Sequence, residues 1–206
     1  MQVLGILVRT KYDKVTELGF SSAEKVIAIA RKRGHMLIDI AESAATRENL
    51  VRILDGLGTP AGHFLKIVIF YSHGNPQSPI DQEKKEFITD DVLVKFKGWG
   101  VYCMGSGVGQ ALGHRLLLAG ATFVIAFSSK TYIPLKRPSD FFDNWNAGII
   151  SMLKEEASPF QATGLMHALF RATIEKLKSG NFDEQIIGTL LSSTVESLSY
   201  SGHDFI

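Results

Sequence analysis

The chain has 206 residues, of which 45% are hydrophobic and 21% charged, as in an ordinary globular domain with a single core. Its 22 basic and 21 acidic residues nearly balance, so no basic excess indicates binding to nucleic acid or to a membrane. Apolar runs are too short for a membrane span, and a signal peptide is not indicated. One cysteine cannot form an internal disulfide, which favours a reducing, cytoplasmic location.

Strand and helix patterns alternate along the first half of the chain. "VLGILV" (Val3–Val8) has the unbroken apolar character of a strand buried on both faces, and "HMLIDI" is a second such run. A helix is predicted between them, from Ser21 or Ser22 to Gly34. A second helix is predicted from the N-cap Thr46 to Gly56, before the strong third strand, Phe64–Ser72.

The second half continues the alternation and then becomes helical. A fourth strand (Val101–Met104) and a fifth (Ala121–Phe127) flank a short helix, and two longer helical patterns follow. The tail from Glu184 to Tyr200 fits either a helix or a sixth strand. Residues 1–206 are therefore predicted to form one three-layer α/β domain, with a mainly parallel central sheet and helices on both faces.

Two strand ends carry the residues of chemical interest. His73 follows the third strand in "IVIFYSHG", and Cys103 ends the fourth in "GVYCMGSG". Ligand sites of parallel sheets lie at the carboxyl ends of the strands. Adjacent strand ends bring a thiol and an imidazole close enough for the imidazole to take the thiol proton. The glycines that follow suit close approach of backbone amides to an oxyanion.

These two blocks resemble the signature blocks of the caspase-like cysteine peptidases, in which one strand ends in His-Gly and the next in the nucleophilic cysteine. The continuation "GQALGHRLLLAGATFVIAF" is similar to the CHAT branch of that family. The resemblance implies a cysteine endopeptidase with a Cys103–His73 dyad and an acyl-enzyme intermediate. It also implies an oxyanion hole formed by the amides of Gly74 and Cys103. Protein or peptide substrates, a regulatory protein partner and no cofactor or metal are expected.

Two features depart from the family pattern. The segment between His73 and Cys103 is short, and Tyr102 precedes the cysteine where the family usually has a small residue. The same chain is therefore also consistent with a catalytically inactive domain of this fold that serves as a binding or assembly module.

Members of that family select the substrate residue before the cut by a charge in the binding pocket. Asp13, Asp81 and Asp140 are the candidates for selecting a basic residue, and this preference is expected; Glu83 is a further acidic candidate. Arg9 is the alternative, for selecting an acidic residue.

Other chemistries have weaker signals. "GSGVGQALG" is a glycine-rich turn without the Lys-Ser/Thr of a P-loop, so a nucleotide-binding or flavodoxin-like domain is a third interpretation. The G-x-S-x-G elbow of serine hydrolases does not occur, and the remaining histidines lack metal-ligand spacing.

Overall fold

A computed structural model describes residues 2–57 and 64–202 of the chain. They form a six-stranded sheet in the order β2-β1-β3-β4-β5-β6. Neighbouring strands from β2 to β5 are parallel, and β6 is antiparallel to β5. The strands are β1 (Gln2–Arg9), β2 (Met36–Ala41), β3 (Phe64–Tyr71), β4 (Gly100–Cys103), β5 (Phe123–Phe127) and β6 (Leu198–Gly202).

Helices cover both faces of the sheet and complete the predicted three-layer α/β fold. One face carries the α1 layer: α1 (Lys14–Ser22), α2 (Glu24–Lys32), α6 (Ser139–Glu155), α7 (Pro159–Lys178) and α8 (Phe182–Glu196). The other face carries the α5 layer: α3 (Arg47–Leu57), the single turn α4 (Asp90–Leu93) and α5 (Leu112–Leu118). Short 3-10 turns at Glu42–Ala44 and Val94–Phe96 complete the secondary structure.

The alternation of side chains along the strands divides the core into two clusters. In β4, Tyr102 contributes to the cluster under the α1 layer, whereas Val101 and Cys103 contribute to the one under the α5 layer. The Tyr102 hydroxyl donates a hydrogen bond to the main-chain oxygen of Trp145 in α6, and the two rings lie 4.2 Å apart. This contact fixes which residues of β4 face which layer.

The structure differs from the sequence prediction in two elements. The polar segment after β1 contains helix α1, which begins with a capping box between Asp13 and Thr16. The ambiguous tail forms both predicted alternatives in succession, since α8 leads directly into β6. The predicted N-cap Thr46 does precede α3, and its hydroxyl accepts the Asn49 amide at 3.4 Å.

The order of the parallel strands creates a crevice at the carboxyl edge. The chain leaves β1 towards the α1 layer and leaves β3 towards the α5 layer, although these strands are neighbours. Loops that diverge in this way leave a gap between them, and this position is the usual ligand site of open parallel sheets.

Candidate functional site

Cys103 lies on the α5 face of the sheet and is buried. The parallel register places it opposite Phe70 of β3 and Ala126 of β5, and all three belong to the cluster under the α5 layer. Its side chain is 0% exposed, and its sulfur accepts the Gly105 amide at 3.4 Å. Burial raises the pKa of the thiol to about 12, so it stays protonated at neutral pH.

His73 lies on the opposite face, at the crevice between β1 and β3. Its Nε2 is 2.7 Å from Oδ2 of Asp13, the residue that precedes α1. The Tyr12 ring packs beside the imidazole, with the two ring centroids 5.8 Å apart. The imidazole is part-exposed and held from the α1 side of the sheet, with one ring nitrogen oriented by a carboxylate.

Asp13 holds the imidazole and the helix at the same time. Its Oδ1 accepts the Thr16 amide at 2.9 Å as the N-cap of α1, while Oδ2 meets His73. Partial burial opposes ionisation, but the hydrogen bonds from Thr16 and His73 outweigh it and lower the pKa of Asp13. Asp13 therefore orients the imidazole as a carboxylate. The sequence had assigned it only to substrate selection.

The predicted Cys103–His73 dyad is not formed in this structure. Cys103 packs in the cluster under the α5 layer, whereas His73 lines the cavity that is also lined by Met104, a member of the cluster under the α1 layer. Cys103 is also part of the ladders with both neighbouring strands, so its amide points within the sheet rather than to an oxyanion at the edge. Met104, the next residue, is the one on the His73 side.

A cavity of about 70 Å³ lies beside His73. It is lined by Val15, Ser72, His73, Met104, Ser106, Thr131 and Ile133. The thioether of Met104 has no proton to lose, so it is not a nucleophile for acyl transfer. Ser106 is the residue from the β4 end that brings a nucleophilic group to the cavity.

Ser106 is placed by the loop after β5. Its Oγ accepts the Thr131 amide at 3.0 Å, which leaves the hydroxyl proton available to a base. Ser106 was not singled out from the sequence, where the cysteine at the end of an apolar run was the candidate nucleophile. The glycine-rich turn "GSGVGQALG", which contains Ser106, was the signal available there.

Two more hydroxyls of the cavity have no hydrogen-bond partner among the described residues. They are Oγ of Ser72 and Oγ1 of Thr131, and both atoms are buried. A buried hydroxyl without a partner costs on the order of 1–3 kcal/mol, so most such groups in native proteins are paired. Both residues line the cavity.

The glycines near the site pack the two strand ends against each other. A Cβ atom on Gly74 would lie 2.9 Å from Cα of Gly105 and 2.5 Å from Cγ2 of Val108. The glycine at position 74 is therefore required by this close contact, which brings the loop carrying His73 against the loop carrying Ser106.

The other residues predicted to select the substrate are occupied within the protein. Asp81 is buried and accepts the amides of Glu83 and Lys85 at 2.9 and 2.8 Å. Asp140 forms an ion pair of 2.7 Å with Arg137 and is not one of the residues that line the cavity.

Arg9 and Glu83 are engaged as well. Arg9 is buried and bonds both Asp39 and Glu24, so its guanidinium is directed into the protein rather than at a substrate. Glu83 accepts the Lys85 ammonium at 2.6 Å on the surface.

A larger open groove adjoins the cavity at Ser106. It has a volume of about 490 Å³ and runs over the ends of β3, β4 and β5. Gly74, Asn75, Pro76, Ser106, Gly107, Gln110, Ser128, Ser129 and Lys130 line it. Its size is within the range of about 300–1,000 Å³ of ligand-binding clefts.

Neither a metal site nor a membrane span is found in the described parts of the chain. Residues 2–57 and 64–202 contain no group of three or more His, Cys, Asp or Glu side chains placed to hold a metal ion. In the same residues no helix combines the length and apolar character needed to cross a bilayer. His63 and His203, considered above with the other histidines, lie outside the described residues.

A scan against models of known protein families gives no match. A search of curated proteins likewise finds no relative of this chain.

Proposed function

We propose that the chain is a peptide-bond hydrolase whose reacting groups are Asp13, His73 and Ser106. One observation carries the proposal. His73, joined to Asp13 at 2.7 Å, lines the same cavity as Ser106. An oriented imidazole beside a hydroxyl is the arrangement that activates a serine nucleophile on many unrelated folds.

Each group has a role that follows from its contacts. Ser106 is the nucleophile, because its Oγ accepts the Thr131 amide and retains a proton to donate. His73 is the base, with Nδ1 as the nitrogen that takes this proton while Nε2 faces Asp13. Asp13 orients the ring and stabilises the imidazolium that forms during the reaction.

The reaction proceeds by acyl transfer. Oγ of Ser106 bonds to the carbonyl carbon of the substrate, and its proton passes to His73. The tetrahedral intermediate then breaks its C–N bond, and His73 returns the proton to the leaving amine. Water attacks the resulting ester in the same way, giving up a proton to His73 that is then returned to Oγ of Ser106. No oxidant or co-reactant other than water is consumed.

Of the two oxyanion donors expected from the sequence, one is kept in the proposal and the other is replaced. The amide of Cys103 belongs to the sheet, whereas Gly74 follows the base directly and contacts Gly105, the residue before the nucleophile. We assign the amide of Gly74 as one oxyanion donor and the amide of Ser106 itself as the other.

A second candidate function is a non-catalytic domain of this fold that binds a protein partner. The presence of Met104 in the cavity and the burial of the one thiol favour it. In that case the groove over β3, β4 and β5 binds a peptide segment without cleaving it. A regulatory protein partner stays a prediction under both candidates.

Matched variants test the assignment. We expect Ser106→Ala to abolish hydrolysis of a fluorogenic peptide library, and Cys103→Ala to retain it. A fluorophosphonate probe should give an adduct on Ser106, located by mass spectrometry of the wild-type protein. Loss of hydrolysis in Cys103→Ala with retention in Ser106→Ala would restore the thiol mechanism. The absence of both turnover and adduct would establish the non-catalytic candidate.

A further inference from the structure

We propose that the substrate residue whose carbonyl is attacked carries a small polar side chain, bound in the cavity by Ser72 and Thr131. This inference rests on the proposed function, because it takes Ser106 as the point of attack. The cavity lies between the nucleophile and the base, so the side chain next to the reacting carbonyl is the one that reaches it.

The size of the cavity limits the size of the substrate side chain that it can hold. Its volume is about 70 Å³. An engineered cavity of about 150 Å³ in another protein holds one benzene ring, and a water molecule occupies about 30 Å³ in the liquid. The cavity therefore has room for the side chain of serine or threonine. Aromatic side chains and long aliphatic or basic side chains require more space than it offers.

The polarity of the cavity bears on whether a polar or an apolar substrate side chain is preferred. Ser72 is 1% exposed, and its Oγ has no partner among the described residues. Thr131, on the loop after β5, is half-buried, and its Oγ1 atom is also buried without a partner among the described residues. A substrate hydroxyl or amide that meets these groups exchanges hydrogen bonds with them, while an alanine or valine side chain leaves both unpaired. A polar side chain is thus favoured over an apolar one of equal size.

The charges around the cavity do not favour a charged substrate side chain over a polar one. The remaining walls of the cavity are the apolar side chains of Val15, Met104 and Ile133, together with His73 and Ser106. The one carboxylate nearby, Asp13, is bonded to His73 and to the Thr16 amide. A substrate lysine or arginine therefore finds no unengaged counter-charge there, unlike the basic preference that the sequence suggested.

Peptide binding separates this inference from the hydrolysis on which it rests. The binding protein is Ser106→Ala, which keeps the cavity but lacks the nucleophile. Fluorescein-labelled pentapeptides of alanine, with Ser, Thr, Val, Leu or Lys at the central position, are titrated by anisotropy. We expect Ser and Thr peptides to bind at least threefold more tightly than the Val, Leu and Lys peptides.

Additional substitutions in the Ser106→Ala protein test which residues give the peptide selectivity. Ser72→Ala and Thr131→Val should each weaken binding of the Ser peptide by about threefold to tenfold, the effect of losing one hydrogen bond. Thr122→Val is the matched control, because Oγ1 of Thr122 is also buried without a partner but does not line the cavity. It should leave peptide affinity unchanged. Met104→Ala enlarges the cavity and should raise the affinity of the Leu peptide.

Three results overturn the inference: equal affinity for all five peptides, no binding of any peptide, or equal effects of Thr131→Val and Thr122→Val. Each is independent of turnover, which is measured separately with the wild-type protein. Selective binding without turnover would support the cavity assignment and reject the hydrolase, whereas turnover without selectivity would do the reverse.

Discussion

The two faces of the sheet at the end of β4 differ in burial and polarity, and therefore in the chemistry that they allow. On the α5 face, Cys103 is enclosed by apolar side chains and its pKa is raised to about 12 by burial. On the α1 face, His73 and Asp13 are part-exposed, charged or polar, and next to a cavity with unpaired hydroxyls. These regions are separated only by the thickness of one sheet.

This difference shows that a reactive residue type is not sufficient to identify a site. A thiol becomes nucleophilic where water and a base stabilise the thiolate, and burial removes both. Under the proposed function, the hydroxyl of Ser106 is the better candidate because it belongs to a residue that lines the same cavity as an oriented imidazole, although serine is the weaker nucleophile as a free side chain.

The largest expected effect is on the α1 face, in Asp13→Asn. Asparagine is as good an N-cap as aspartate, so α1 and the fold should be retained. The loss of the carboxylate leaves His73 without its orienting anion, and kcat should fall by about 10²–10⁴-fold. Steady-state kinetics measure this, with circular dichroism as the check on folding. A kcat within twofold of wild type would remove Asp13 from the mechanism.

An intermediate effect is expected where the two strand ends meet. A methyl group on Gly105 would lie 2.9 Å from Cα of Gly74, so Gly105→Ala must force the His73 and Ser106 loops apart. We expect a loss of about 1–3 kcal/mol in the free energy of unfolding, measured by urea denaturation, and a loss of hydrolysis.

Gly164→Ala serves as the control for that substitution. Gly164 lies in α7 with open space where a Cβ atom would be, and alanine there should stabilise the protein by up to about 1 kcal/mol. Equal stability of the two variants would mean that the Gly74–Gly105 contact does not constrain the site.

The smallest expected effect is that of His73→Ala on Cys103. Because the folded thiol has a pKa of about 12, its alkylation by iodoacetamide below pH 9 should be about a thousandfold slower than in the urea-unfolded chain. The histidine substitution should not change this rate. Faster labelling in the wild type than in His73→Ala would show that the two groups are coupled after all.

The same thiol also gives a pH dependence of stability. An unfolded cysteine ionises near pH 8.5, whereas the folded one stays protonated to about pH 12. The unfolded state therefore binds fewer protons between these values, and the free energy of unfolding should fall as the pH rises above about 8.5.

Much of the architecture was predictable from the sequence. The unbroken apolar runs of β1, β3 and β5 predicted buried parallel strands, and the change to helical periodicity after β5 predicted the large helical layer. Helix α1 was missed because it is short, so its amphipathic pattern covers few residues. Asp13 and Thr16 nevertheless carried the signal of a helix start.

The position of His73 at the carboxyl edge of the sheet was also predicted from its place after β3. The face that each strand end presents was not predictable, since β4 is buried on both sides and has no polar alternation to reveal it. The register between β3 and β4 pairs Cys103 with Phe70 and so places it on the α5 face of the sheet.

The hydrogen bond between Tyr102 and Trp145 fixes which face of the sheet each residue of β4 occupies. Since Tyr102 is anchored to α6, β4 cannot slip by one residue without moving that ring into the opposite layer. Cys103, the last residue of β4, is thereby held among the apolar side chains of the α5 layer, whereas Met104, which follows it, lines the cavity beside His73. A thiol at position 104 instead of position 103 would therefore share that cavity with the imidazole, without any change in the path of the backbone.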